Sequence, residues 1–243
     1  MTEYYLSDQI IVYNGKYYKK NNLVTDKNWH NVLSDIGWSK LDKSWIIRFN
    51  SYIKTKSNSK WGILDTDNNG DCFFSCISEA INNNNKLVDN NEMTDMFDIR
   101  KKISEGITQK NFDYIMDIYN IENEIGEFNH KWDIKKIKDY HDLRKELNTS
   151  GHNYWADHII IQLFQETFKL NLIILNKSNN KKYTKLYPLL SDLKSELDTV
   201  ILYYIDQSHF KLIGHFNNNK INTIFKYNEL PLEILKVYDA DCR

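Results

Sequence analysis

Cysteine is scarce in this 243-residue chain, and so are proline and glycine. The three cysteines, Cys72, Cys76 and Cys242, are too few, and odd in number, for a disulfide framework. They fit a reducing compartment, and an intracellular, host-cytoplasmic location is expected. No Cys-x-x-Cys pair or Cys/His cluster has zinc-ligand spacing, so no metal is expected. A net charge of −1 removes the electrostatic case for nucleic acid or an anionic membrane as partner. The basic runs Lys135-Lys136 and Lys181-Lys182 read as solvated faces. No apolar run approaches the roughly 20 residues of a membrane span. The first residues, Met-Thr-Glu-Tyr-Tyr, have neither the basic start nor the apolar run of a signal peptide. Two prolines and eight glycines beside abundant Asn, Lys, Ile and Tyr read as the bias of an AT-rich genome. Such a bias, with a solitary domain, fits a large DNA virus of a eukaryote. No internal repeat is visible.

What is present is enough for a core: 41% apolar and 14% aromatic residues. Ile10–Tyr18 reads as a hairpin about Asn14-Gly15, the type I′ turn signal. Thr25 or Asp26 caps a helix expected to reach Trp38, and a second helix is expected over about 41–54. Residues 1–58 thus form an extension expected to cover the main sheet, ahead of a domain over 59–243. In that domain Trp61–Leu64 is a short approach segment. Helices are expected from Cys72 to near Asn82, over 94–107, 110–119, 133–147 and 154–168. The period then changes: 172–175, 200–205 and 210–216 read as strands, and 230–237 as a last helix. The fold class is α/β in the α+β sense, with a small central sheet flanked by helices.

Two stretches carry chemistry. In Asp65–Ile81 a polar, turn-forming half meets an amphipathic helix, with Cys72 at the junction. A thiol there faces unpaired amides and the positive helix end, which favour the nucleophilic thiolate. The N–H groups of Asp71 and Cys72 can also receive an oxyanion. In Ser208–Phe216, strand alternation puts Phe210, Leu212 and Phe216 on one face and His209, Lys211 and His215 on the other. His209 then opens the strand away from the core aromatics, where a base can be held over a cleft. Cys76, four residues after Cys72, reads as a buried small apolar side chain. His215 lies about 20 Å along the strand from His209, too far to substitute for it.

Three motifs in this order resemble the ovarian-tumour-domain (OTU) family of cysteine proteases, most of which are deubiquitinases. Asn69-Gly70-Asp71-Cys72-Phe73-Phe74 resembles the family's nucleophile loop and helix start. Trp155–Phe164 followed by Leu172–Leu175 resembles its Trp-containing helix and next strand, and His209-Phe210 resembles its His strand. Order and spacing agree over residues 61–216; the first 58 residues lie outside the resemblance.

The resemblance implies a papain-type fold and mechanism with Cys72 as nucleophile and His209 as base. Asn69, Gly70 and Asp71 would shape the oxyanion loop, and Trp155 and Phe210 would line the substrate groove. Ubiquitin, polyubiquitin or a ubiquitin-like modifier is the implied partner, with no cofactor, acting on a monomeric enzyme. Two residues depart from the pattern. The position two after the His, often an acid or Asn in the family, is Lys211, which cannot accept from an imidazole. The Asp three before the Cys is Asn69. The acceptor for His209 is therefore sought elsewhere. Asp157 at the start of the Trp155 helix is the first candidate, although a plain N-cap reads equally well there. Asp65 and Asp67 come second, and a Cys–His dyad remains if none reaches. A ubiquitin-binding module that has lost its chemistry is the competing function. A papain-like protease for unrelated peptides is a third, which would leave the Trp155 motif without a reason.

Overall fold

The computed structural model describes residues 3–56, 59–66, 69–88, 90, 92–177, 184–189, 192–206 and 208–242. Asp67 and the Lys181-Lys182 pair lie outside the described residues. Strands β1 (Glu3–Tyr5), β2 (Ile10–Tyr13), β3 (Lys16–Lys19) and β4 (Asn22–Leu23) form an antiparallel sheet in chain order. Asn14 and Gly15 have φ of 50° and 69°, the left-handed pair of the expected hairpin turn. Ile10, Val12 and Tyr17 are buried, and the Tyr17 hydroxyl donates to the Asn83 side chain.

The helix expected to reach Trp38 does not form at that length. Only α1 (Trp29–Val32) and a 3-10 turn, Ser34–Ile36, are helical. Gly37, at φ 91°, reverses the chain, and β5 (Trp38–Lys40) leaves as a strand that buries the Trp38 indole. Then follow α2 (Lys43–Tyr52), β6 (Trp61–Leu64), α3 (Cys72–Leu87), α4 (Met96–Ser104) and α5 (Gln109–Glu124). The helix expected over 133–147 is two pieces. A 3-10 turn at Ile134–Lys136 is separated from α6 (Tyr140–Asn148), because the Asp139 side chain caps the amides of His141 and Asp142 and starts a helix there. Next come α7 (His158–Phe168), β7 (Asn171–Asn176), β8 (Lys185–Leu186), β9 (Thr199–Ile205), β10 (His209–Asn217), β11 (Lys220–Asn222), β12 (Ile224–Phe225) and α8 (Leu232–Cys242).

The fold is α+β. The main sheet runs β5-β6-β10-β9-β7-β8, with β11 on β10 and β12 on β9. Among the described residues, only β7 and β9 pair in parallel. Period-two alternation sends its two faces to two cores. Leu64, Leu172, Ile174, Val200, Leu202 and Leu212 join the core shared with α3 to α7 and the first sheet. Ile63, Ile173, Leu175, Ile201 and Ile213 join the core under α2 and α8. Among the described residues, no helix is long and apolar enough to cross a membrane, and no group of three or more His, Cys, Asp or Glu side chains is placed to hold a metal ion.

Candidate active site

The site lies where β6 ends and β10 begins. The last residue of β6, Leu64, pairs with Leu212. β10 starts three residues earlier, at His209, and along 209–211 its partner is β9 alone. A strand edge left open in this way has backbone groups to satisfy. The start of α3 fills the gap: Phe210 N donates to Cys72 Sγ at 3.4 Å, and Cys76 Sγ donates to Phe210 O at 3.6 Å. Thr66 stands beside both, its hydroxyl donating to Cys72 O at 3.5 Å and lying 3.6 Å from Cys76 Sγ. Burial pushes the Cys76 thiol up, so it stays a protonated donor. The expected small buried filler is therefore also a hydrogen-bonding partner of the strand.

His209 and Cys72 are thus brought to one corner by adjacent strand residues. The ring's acceptor is Asp65, the residue after β6: His209 Nε2 lies 2.9 Å from Asp65 Oδ1. Lys211 takes the other carboxylate oxygen, with Nζ 2.5 Å from Oδ2. Burial pushes the Asp65 carboxyl up, but bonds from Lys211 and His209 outweigh it and hold it below the ordinary value. Lys211, read from sequence as unable to orient the imidazole, instead shares the acid that does.

The first-choice acid, Asp157, is elsewhere. Its Oδ1 accepts from Ile160 N at 2.9 Å, capping α7, and its Oδ2 accepts from Tyr119 Oη and from His130 Nε2, each at 2.9 Å. Burial raises its pKa, and His130, the Ile160 amide and Tyr119 bring it below the ordinary value. Asp157 is already committed at the head of α7, and His130 rather than His209 is its histidine. His130 in turn accepts from Trp155 N at 3.3 Å through Nδ1. The pair thereby fixes the Trp155 segment beside the cleft.

The loop before Cys72 is clamped from behind. Gly70 has φ 93°, and a Cβ there would stand 2.6 Å from Gly151 C, so the backbone approach requires glycine. Asn69 is exposed. Asp71 is buried, and its Oδ2 accepts from Gly151 N at 2.8 Å. Its Oδ1 accepts from Nε of Arg100 at 2.8 Å and also from Nη2. Arg100 is 0% exposed. It further donates to the carbonyls of Leu147 at 2.8 Å and Tyr154 at 3.1 Å, and its guanidinium stacks 3.9 Å from the Phe74 ring centroid. None of this appears in a motif. The one sign in the sequence is a cation, Arg100, between Ile99 and Ile103 on a helix.

A cleft of about 530 Å³ is lined by Trp155, Tyr204, Phe210, His130 and the acids Glu122 and Glu127. Trp155 stands on its wall, with a buried Nε1 that has no partner among the described residues. The Phe210 ring is itself buried, its centroid 5.4 Å from that of Phe73 and 4.6 Å from that of Tyr204.

No protein-family model matches the chain, and no curated protein matches it. Among solved structures, an OTU deubiquitinase from Wolbachia pipientis wMel bound to ubiquitin is 12% identical, over 66% of this chain and 98% of that one, with a TM-score of 0.43. The OTU domain of OTUD1 is 11% identical over 72% and 95%, with a TM-score of 0.40. The Hazara virus OTU bound to ubiquitin is 10% identical over 90% and 97%, with a TM-score of 0.40. Likenesses this slight assign no activity.

Proposed function

We propose that the chain is a deubiquitinating cysteine protease that cleaves after the C-terminus of ubiquitin or a ubiquitin-like modifier. The observation that carries this reading is the convergence of three residues from separate elements: Cys72 at the head of α3, His209 at the start of β10, and Asp65 at the end of β6, on the ring of His209. The OTU-like motifs about Cys72, Trp155 and His209 supply the substrate class.

In this mechanism His209 takes the Cys72 proton, and the thiolate–imidazolium pair is held by Asp65 on Nε2 and by the Phe210 amide on sulfur. The thiolate adds to the carbonyl of the isopeptide bond. The backbone N–H groups of Cys72 and its loop neighbour Asp71 receive the oxyanion. The C–N bond breaks as His209 protonates the leaving lysine amine. Water, deprotonated by His209, then hydrolyses the thioester and returns the thiol. The exit of the cleft past Trp155 and Phe210 is the path assigned to the modifier's C-terminal tail, and no cofactor takes part.

A second reading, a ubiquitin binder without turnover, draws on Lys211, whose ammonium competes with His209 for the same carboxylate. A ubiquitin with an electrophilic C-terminus separates the two. The enzyme reading expects a covalent adduct at Cys72, lost in Cys72→Ala. Tight reversible binding with no adduct would sink it.

A further inference from the structure

Aspartate at a helix N-cap ordinarily turns its carboxylate onto the first-turn amides. This chain does so repeatedly. Asp42 accepts from Ser44 N, Asp95 from Asp98 N, Asp139 from His141 and Asp142 N, and Asp157 from Ile160 N. Asp71, the N-cap of α3, is different: its side chain caps no amide of its helix. Both carboxylate oxygens point away instead, Oδ1 to the buried fork of Arg100 and Oδ2 to Gly151 N. Arg100 is anchored independently by the carbonyls of Leu147 and Tyr154 and by the Phe74 ring. It is therefore the fixed member, and Asp71 is the one held.

We propose that Arg100 is a positioning residue for the Cys72 chemistry: it holds the Asp71 carboxylate off the head of α3, so that the amides of Asp71 and Cys72 face the reacting carbonyl. The inference rests on the cysteine-protease reading above. Its physical content is a competition. An oxyanion and an N-cap carboxylate both seek the head of the helix. Without the fork, Asp71 turns back onto Phe73 or Phe74 N and becomes an ordinary cap. The oxyanion at the Asp71 and Cys72 amides would then form beside that carboxylate. An uncompensated negative charge also comes to stand beside Cys72 and disfavours its thiolate. Helix α3 itself would gain a cap, which distinguishes this role from simple support of the fold.

The test uses the full chain and two readouts: the pH midpoint of Cys72 alkylation by iodoacetamide, and kcat/KM on a fluorogenic ubiquitin C-terminal amide. Arg100→Gln keeps an amide donor for the two carbonyls but releases the carboxylate. It is expected to raise the alkylation midpoint by about one pH unit or more and to lower kcat/KM by about 100-fold. Adding Asp71→Ala to Arg100→Gln removes the competing cap and the second buried charge. It is expected to return the midpoint to that of the wild type and to regain about tenfold in kcat/KM. A midpoint unchanged in folded Arg100→Gln overturns the proposal, as does a double variant no better than the single. If Arg100→Gln does not fold, the double variant, which leaves no buried charge unpaired, decides alone. A midpoint at or below the wild type's supports the proposal, and a raised one overturns it. The alkylation arm needs no ubiquitin, so failure of the proposed substrate class and failure of the Arg100 role give different results.

Discussion

Asp65 is the residue on which the proposed chemistry turns, and it is also the residue hardest to choose from sequence. Cys72 and His209 were legible because each sits in a local pattern: a polar loop at a helix start, and a histidine at a strand start. Asp65 reaches His209 only through the register of β6 on β10, since it follows the pair Leu64–Leu212. Strand register is not readable in a single sequence. Asp157 had the right residue type at an element end, but His130, in an irregular loop, could not be foreseen as its partner. Three residue-level outcomes follow. Asp65→Ala should lower kcat/KM on a ubiquitin amide by about 10- to 100-fold through a disoriented imidazole. Asp157→Ala should leave kcat per folded molecule within about threefold, because general-base orientation is not its task, with any effect through the Trp155 segment falling on KM. Lys211→Met removes a cation near His209 and leaves Asp65 to the ring alone. Asp65 then orients the ring without a competitor, so kcat/KM on a ubiquitin amide should be at least that of the wild type; a marked fall would show that Lys211 supports the pair.

At the scale of elements, the long strands of the main sheet were legible, because β-branched and apolar runs such as Leu172–Leu175 and Val200–Ile205 carry the signal in themselves; the two- and three-residue strands β1, β4, β5, β8, β11 and β12 were not, and β5 begins at the end of an expected helix. Helix ends were not, because they depend on which acid caps and which glycine reverses the chain. Gly37 ends a predicted helix early, and Asp139 restarts one late. Asp157 shows the energetic side of this at α7. Asp157→Ala removes a cap worth about 1 kcal/mol and leaves the Tyr119 hydroxyl and His130 short of an acceptor, for a total of about 2–4 kcal/mol. A fall in melting temperature with preserved specific activity is the expected result. In β6, a Cβ on Gly62 would stand 2.2 Å from the Trp29 ring and 2.9 Å from Ser39 O. Gly62→Ala should therefore destabilise by about 1–3 kcal/mol; a melting temperature equal to the wild type's would show that Trp29 can retreat.

For the whole molecule, the two cores on either face of the sheet were foreseeable as alternation, but not which helices fill them. α2, from the N-terminal stretch, packs beside α8 from the other end of the chain, a contact no local pattern announces. That second core holds a titratable group. His215 is buried against Trp61, with ring centroids 4.5 Å apart, and burial, helped by Lys60, lowers its pKa to about 4. The unfolded chain takes up this proton near pH 6.5, while the folded chain refuses it until about pH 4. Stability is then full above pH 6.5 and declines as pH falls through this window, by roughly 3 kcal/mol in total. Asp65 and Asp157, held below the ordinary carboxylate value, act at lower pH. Urea midpoints at pH 7 and pH 4.5 should differ markedly in the wild type and much less in His215→Phe. An equal drop in both would place the effect elsewhere.

The short β6 has one more consequence. Where a neighbouring strand would have put a carbonyl, the Phe210 amide meets sulfur. Its proton is therefore a spectroscopic witness to the nucleophile. The Phe210 amide resonance should titrate with ionisation of Cys72, and its hydrogen exchange should quicken once the sulfur is alkylated. Both signals can be recorded without any substrate.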